Sequence, residues 1–387
     1  MIHFEKEKRT CYIPDVSIFS DPEVSLKVVV AMDSFKGSLT SLEAGNAVKR
    51  GILRSHPGAE VTVLPLADGG EGTIDSIAPY IGGIAKTLTV TGPLGAKIKA
   101  DYIFDPKTDA AYIEMAKAAG LTLISQEERN PNLTTTYGVG ELMKDAMENG
   151  AKRLVICIGG SATNDGGAGM LQALGAKLTD KDGNDIKQGA AGLKDLCKVD
   201  TADLIGKDID ITVASDVTNP LCGPDGASRV YGPQKGADEK ACIEMDEWLK
   251  NFAEISGFDP FEEGTGAAGG MSFALKNFFG AELKSGADIV MEITGAEKLI
   301  SEADIVITGE GRMDRQTVNG KAPYKVLLLA KKMNKPVYGI TGLLGSGYEE
   351  CLKEGFERIV PLIVPTMDTE EAIKSAEDTA ALLFEDL

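Results

Sequence analysis

Several segments of this chain set glycine beside acidic, basic or hydroxyl side chains, a combination suited to phosphate and divalent cations. They are Asp33-Ser34-Phe35-Lys36-Gly37, Ala67-Asp68-Gly69-Gly70-Glu71-Gly72, and the long run Gly159-Gly160-Ser161-Ala162-Thr163-Asn164-Asp165-Gly166-Gly167-Ala168-Gly169. Further along come Asp216-Val217-Thr218-Asn219-Pro220, Gly232-Pro233-Gln234-Lys235-Gly236 and Gly309-Glu310-Gly311-Arg312-Met313-Asp314-Arg315-Gln316. Glycine lets backbone N–H groups approach a phosphate closely, Ser161, Thr163 and Asn164 can bind oxygens, and Asp165 can hold a cation or accept a proton. Acids beside such cradles, with Lys36, Lys235 and Lys321 nearby in sequence, suit magnesium-dependent phosphoryl transfer. That chemistry needs a cation, donors for the phosphates and one base near the acceptor hydroxyl.

These segments must be held by regular elements, and the pattern supplies them. Residues 27–31 read as a buried strand and 40–54 as a helix, with Thr40 and Glu43 spaced as a capping box. Residues 61–66 give a second strand that runs into the 67–72 segment, followed by a helix from Thr73. Late in the chain the same grammar returns: strands at 304–308, 337–341 and 358–364, a helix over 323–333, and a last amphipathic helix capped by Asp368 and Glu371. Two strands from the beginning and three from the end make a five-stranded parallel, doubly wound sheet. The expected organisation is therefore an extension over 1–26, one α/β domain built from 27–88 plus 290–387, and a second inserted α/β domain over 89–289, with the active site in the cleft between them. In an open parallel sheet ligands collect beyond the carboxyl ends of the strands. The segments 33–37, 67–72, 309–316 and 341–347 are expected at that edge of the first domain.

Plainer readings compete with each assignment. Glycine pairs serve tight turns, Asp33 and Asp68 can cap helices, and Lys36 and Lys321 can be solvated surface lysines. Cys157 lies in an apolar strand and reads as a small buried residue. Gly264-x-Gly266-x-x-Gly269 matches a dinucleotide fingerprint but follows Phe261-Glu262-Glu263 instead of a strand, and Gly320-Lys321 lacks the rest of a phosphate loop. With a net charge of -19 and no basic stripe, nucleic acid is an improbable partner. There are two histidines, neither in an evident site, and six cysteines without CxxC spacing, so acid–base work falls to carboxylates or lysines and no zinc cluster or disulfide framework is indicated. No apolar run approaches the roughly 20 residues that cross a bilayer, and no secretory signal stands at the start. A cytoplasmic protein without a membrane partner is expected.

Taken together, and in this order, the segments 33–37, 67–72, 159–169, 216–220, 232–237 and 309–316 resemble the motif set of the type I glycerate kinases. The resemblance extends from about residue 27 to the end of the sequence. It implies transfer of the ATP γ-phosphate to D-glycerate with magnesium, yielding 2-phosphoglycerate, on a discontinuous flavodoxin-like domain joined to a distinct α/β domain. On that footing Asp33, Asp68 and Glu71 are assigned to magnesium or the acceptor hydroxyls. Lys36, Lys235 and Lys321 are assigned to phosphate or carboxylate charge, and Ser161, Thr163 and Asn164 to phosphate oxygens. Asp165 and Asp216 compete as general base. Ser34, Gly69, Gly70, Gly160, Asn219, Gln234, Glu310, Asp314 and Gln316 complete the expected substrate- and nucleotide-binding set. Formation of 3-phosphoglycerate, another small hydroxy or sugar acid as acceptor, and a non-catalytic binding protein are the alternatives. The state of assembly is left as monomer or homodimer.

Overall fold

The computed structural model describes residues 25–35, 37–364 and 368–387. Most of the expected 1–26 extension, and Lys36, lie outside the described residues. The last two extension residues are anchored: the Ser25 hydroxyl donates to the Gly58 carbonyl at 2.6 Å, and the Leu26 carbonyl accepts from Glu60 N–H. The chain divides into two compact units, one comprising residues up to Leu64 together with Lys298–Leu387, the other Pro65–Glu297.

In the first unit the described residues form a five-stranded sheet, in the spatial order Arg358–Pro361, Val337–Thr341, Ile305–Gly309, Lys27–Met32, Glu60–Pro65. Counted along the chain this is the order 2-1-3-4-5, the flavodoxin-like arrangement, whose switch point falls between Lys27–Met32 and Ile305–Gly309. Those two strands pair in parallel, from Val28 opposite Ile305 to Met32 opposite Gly309. Val28, Val30 and Met32 enter a core with Ala44, Val48, Ile52, Ala376, Ala380 and Phe384, while Val29 and Ala31 on the opposite face are buried as well. A central strand covered on both faces explains its continuous apolar sequence. The Thr40–Glu43 capping box begins helix Ser41–Ser55, which ends at His56, and Asp368 caps helix Thr369–Glu385; both N-terminal caps stand at the expected positions.

Helices Ser41–Ser55 and Thr369–Glu385 pack through small residues. A Cβ added at Gly51 would lie 2.1 Å from the Glu377 carbonyl oxygen and 2.8 Å from Ala380 Cβ, so the two backbones meet where only hydrogen fits. Around that contact Arg50 pairs with Glu377 at 3.1 Å and Arg54 with Asp378 at 2.8 Å, both on exposed ground where such pairs contribute little.

The second unit is built on a six-stranded sheet in the order Glu282–Lys284, Asp210–Ala214, Arg153–Cys157, Ala110–Glu114, Lys97–Asp105, Ile84–Thr91. The first four run parallel to one another; the last two join antiparallel. Helices Tyr137–Glu148 and Ala267–Phe279 contribute to the larger core, where Phe252, Phe258, Phe273 and Phe278 meet ring on ring. Helices Thr73–Ile81 and Gly286–Ile293 cover the other face: Ile74, Ile77, Ile289 and Val290 pack on Tyr112, Val155, Cys157 and Ala214.

That packing corrects the domain boundary expected from sequence. The sequence pattern groups residues 65–88 and 290–297 with the first domain, yet Ile74, Ile77 and Val290 pack on the six-stranded sheet, and a boundary at 88/89 would cut strand Ile84–Thr91 in two. Alternation along a helix shows which face is apolar; it does not reveal which of two sheets that face will cover. Among the described residues no helix is long and apolar enough to cross a membrane.

Gly51→Ala should be destabilising although alanine is intrinsically better in a helix by about 1 kcal/mol. Overpacking against the Glu377 carbonyl is expected to cost roughly 1–3 kcal/mol. The check is the urea midpoint, which should fall; an unchanged or higher midpoint would mean that the two helices separate at no cost.

Candidate active site

In the second unit the carboxyl ends of the four parallel strands lead into Met115, Ile158, Ser215 and Ser285. Across them lies the segment Asp68-Gly69-Gly70-Glu71. Gly159 N–H donates to the Gly69 carbonyl at 3.1 Å. A Cβ at Gly159 would stand 2.5 Å from Gly70 Cα, and one at Gly286 2.2 Å from the Asp68 carbonyl carbon. Gly69, at φ +83°, takes a left-handed turn that any side chain would strain, and its α-carbon faces the Ala214 carbonyl. Glycine on both sides thus brings two loops together backbone to backbone. The acids between them stay accessible: Asp68 and Glu71 are exposed, with Asp68 Oδ1 accepting from Gly70 N–H at 2.9 Å and Glu71 Oε1 from the Thr122 hydroxyl at 2.9 Å. Glu71 Oε2 lies 3.9 Å from where a Gly160 Cβ would stand.

Behind this edge is a buried polar layer. Lys235 is 2% exposed, and its Nζ donates to Ser161 Oγ at 2.8 Å and to the Thr163 carbonyl at 2.6 Å. Burial pushes its ammonium down to about 7, the negative charge of Asp165 opposing. Two acceptors match the two hydrogens of the neutral amine. Asp165 is fully buried and accepts four hydrogen bonds, from Thr136 N–H and hydroxyl at 2.9 Å each, from Gly167 N–H at 3.1 Å and from Gly169 N–H at 3.3 Å. Burial raises its carboxyl above the ordinary range, although these donors favour the anion. Asp165 therefore ties the 165–169 turn to Thr136 and presents no face to solvent. Thr163 and Asn164 are equally closed in, the Asn164 amide donating to Ser228 Oγ at 2.7 Å. Of the hydroxyl and amide groups that sequence assigned to phosphate oxygens, Ser161 stands nearest the surface, next to exposed Gly160.

Asp216 is exposed two residues beyond strand Asp210–Ala214. Asn219 is fixed between the Asp225 carbonyl and the Tyr231 hydroxyl at 2.8 and 2.7 Å, and Gln234 is exposed, its carbonyl accepting from Arg129 Nη1 at 3.4 Å.

The first unit carries its own set at the switch point. Asp33 N–H donates to the Gly309 carbonyl at 2.8 Å, so Asp33 and Glu310 leave the sheet as neighbours, and the Asp33 carboxylate accepts from Ser34 N–H at 2.6 Å. Glu310, 8% exposed, accepts from the Thr317 hydroxyl at 2.7 Å and from Lys321 Nζ at 3.0 Å. Asp314 accepts from Gln316 N–H at 2.9 Å and pairs with Arg312 at 3.2 Å. The two-residue strands Arg312–Met313 and Leu343–Leu344 pair in parallel, joining the 309–316 and 341–347 segments. Lys321, expected to meet phosphate, is here the partner of Glu310. An anion must compete for it.

The expected sites therefore fall into two groups, each within one unit. Asp33, Ser34, Glu310, Asp314, Gln316 and Lys321 gather in the first; Asp68, Gly69, Gly70, Glu71, Gly160, Ser161, Asp165, Asp216 and Lys235 belong to the second. The 67–72 segment was expected at the edge of the first sheet with 33–37; its bonds are to Gly159 of the second instead. Among the described residues no three acidic, histidine or cysteine side chains gather as a metal group. Magnesium asks for less than that, since one or two carboxylates complete a shell otherwise made of water and substrate phosphate oxygens. Exposed Asp68 and Glu71 beside the open backbone of Gly160 fit that need. Sequence reasoning passed over Glu114, buried at the end of strand Ala110–Glu114 and bonded to the start of helix Thr73–Ile81. The signal was one charged residue closing the apolar run Ala110-Ala111-Tyr112-Ile113.

A family model described as the glycerate kinase family matches residues 28–386. The chain is 44% identical over 360 residues to the glycerate 2-kinase of Escherichia coli strain K12, spanning 91% of this chain and 94% of that protein. It is 43% identical over 357 residues to the glycerate kinase of Halalkalibacterium halodurans, spanning 90% of this chain and 94% of the relative. A crystal structure assigned to glycerate kinase 2 of Salmonella typhimurium LT2 superposes with a TM-score of 0.83 at 41% identity, covering 94% of this chain and 98% of that one. The motif resemblance, the flavodoxin-like strand order and a family match running from residue 28 to residue 386 agree, and this chain belongs to the glycerate kinase family, an enzyme family of phosphotransferases.

Proposed function

We propose that this protein transfers the γ-phosphoryl group of ATP to D-glycerate, with magnesium, giving 2-phosphoglycerate in the cytoplasm. The observation that carries the reading is the 67–72 segment laid on Gly159, which leaves two exposed carboxylates beside an open glycine backbone at the carboxyl edge of a parallel sheet. The resemblance to a glycerate 2-kinase supports the position phosphorylated. Asp68 and Glu71 would hold magnesium, which when bound would draw phosphate charge toward itself. Gly160 N–H and Ser161 would donate to phosphate oxygens, with Lys235 behind them to meet the remaining negative charge. Phosphorus NMR of the product tests the whole reading. A 2-phosphate formed from ATP and D-glycerate, and lost when a chelator removes magnesium, is the expected result; a 3-phosphate, a different acceptor or no transfer would overturn it.

The acceptor hydroxyl must lose a proton, and Asp216 is the better placed of the two candidate bases. Asp165 is enclosed by four donors, whereas Asp216 is exposed beside the end of strand Asp210–Ala214. Asp216→Asn is expected to lower kcat by about 10²-fold with little change in thermal midpoint. Asp165→Asn should instead lose on the order of 1–3 kcal/mol of stability, because in either orientation of the amide at least one buried backbone donor then faces an NH₂ group. Turnover of Asp216→Asn close to the parent's would remove it from the chemistry.

Lys235 gives the binding step a pH dependence. With its pKa lowered to about 7, the side chain is charged below that pH and neutral above it. Seating an anion against it at alkaline pH then requires uptake of a proton, so the KM of the anionic substrate it faces should rise by about tenfold per pH unit above 7. Lys235→Arg keeps its charge and should flatten the rise. A flat parental profile for both substrates between about pH 6.5 and 9 would exclude Lys235 from the anion site.

A further inference from the structure

Glu114 is a buried carboxylate with no part in the chemistry assigned above. It is 2% exposed at the end of strand Ala110–Glu114, where every residue is buried, and it lies opposite Cys157 in the parallel register. Its two oxygens accept from Gly72 N–H at 2.8 Å and from Ile74 N–H at 3.2 Å. Gly72 is the residue before helix Thr73–Ile81, at φ +80°, and no side chain of its own segment caps that helix. Glu114 thus supplies from another strand the acceptor that the helix start lacks, immediately behind Glu71. One helical turn further on, Lys117 reaches the same place: its Nζ pairs with Asp75 in the first turn of the helix at 2.9 Å, and with Asp101 at 2.8 Å.

A buried anion is costly unless its acceptor sites are filled. Capping alone is ordinarily done by a serine or aspartate on the segment itself. A carboxylate brought in from the neighbouring strand instead fixes the segment in space, because Ala110–Glu114 pairs with Arg153–Cys157, the strand that leads to Gly159 and Gly160. The two faces of the cradle, the 67–72 segment and the 159–161 segment, are therefore referenced to adjacent strands through Glu114.

We propose that Glu114, assisted by Lys117, is the positioning residue that sets Asp68 and Glu71 against the glycine backbone of 159–160, so that its removal is felt in magnesium use and turnover. The proposal rests on the assignment of Asp68 and Glu71 to magnesium made above. Glu114→Gln keeps the size but turns an NH₂ toward one of the two N–H donors; Lys117→Met keeps the stem and removes the charge. Tyr102→Phe serves as the comparison, since it removes a hydroxyl bonded to Asp145 at 2.7 Å and belongs to the core on the face of the sheet opposite the one that helix Thr73–Ile81 covers.

The measurements, on the full chain, are kcat, KM for each substrate, the magnesium concentration at half-maximal rate, the thermal midpoint, and hydrogen exchange of the 67–75 region. Glu114→Gln is expected to exchange faster over 67–75, to lose about tenfold in kcat and to need severalfold more magnesium, with D-glycerate KM nearly unchanged. Lys117→Met should show the same pattern more weakly, and provides the test should Glu114→Gln fail to fold. Tyr102→Phe should lower the midpoint and leave the kinetics at parental values. Parental kcat and magnesium dependence in whichever clamp variant folds would overturn the proposal, as would a Tyr102→Phe variant that lost as much activity at equal midpoint. Product analysis of the parent protein decides the reaction itself independently of these variants.

Discussion

The constraint on which the second unit's site depends is the approach of two backbones at Gly69 and Gly159. Their hydrogen bond is 3.1 Å long, and a methyl group on Gly159 would stand 2.5 Å from Gly70 Cα. A side chain there would force the loops apart and carry Asp68 and Glu71 away from Gly160. Glycine is required by close approach at Gly159 and by a left-handed turn at Gly69, two different reasons within one contact. The motif's dense glycine content follows from that geometry.

Charge is sorted by depth around this contact. Asp68, Glu71 and Asp216 are exposed to solvent, while Asp165, Glu114 and Lys235 are buried and hydrogen-bonded within the fold. Buried polar groups of this kind hold turns through hydrogen bonds that have a direction, which apolar contacts lack. The first unit repeats the logic with Glu310, whose two oxygens are taken by Thr317 and Lys321 at the head of helix Ala322–Lys332.

Much of this was legible in the sequence where local patterns determine the outcome. Strand Val337–Thr341 and the capping box of Thr40 and Glu43 stand where the periodicity and residue types put them, because strand burial and helix capping act over a few residues. The family was legible because long, particular loops recur in a fixed order. What eluded the sequence was assignment across distance. Helix Thr73–Ile81 covers the six-stranded sheet, a choice made by packing against Tyr112 and Val155, far away along the chain. Asp165 looked like a base by its motif and is enclosed by Thr136, a partner 29 residues distant. Glu114 shows in the sequence only as a charged residue closing an apolar run; its two partners are backbone N–H groups, which residue identity does not name.

The discontinuity of the first unit fixes the order in which the molecule can be assembled during synthesis. Its strand Lys27–Met32 has Ile305–Gly309 as a neighbour, so its sheet stays incomplete until that distant strand has left the ribosome. Pro65–Glu297 is a single uninterrupted stretch that can collapse earlier, with its aromatic core already present. Strand Lys27–Met32 emerges before that stretch and gains its second neighbour after it, an apolar strand that must wait for its mate.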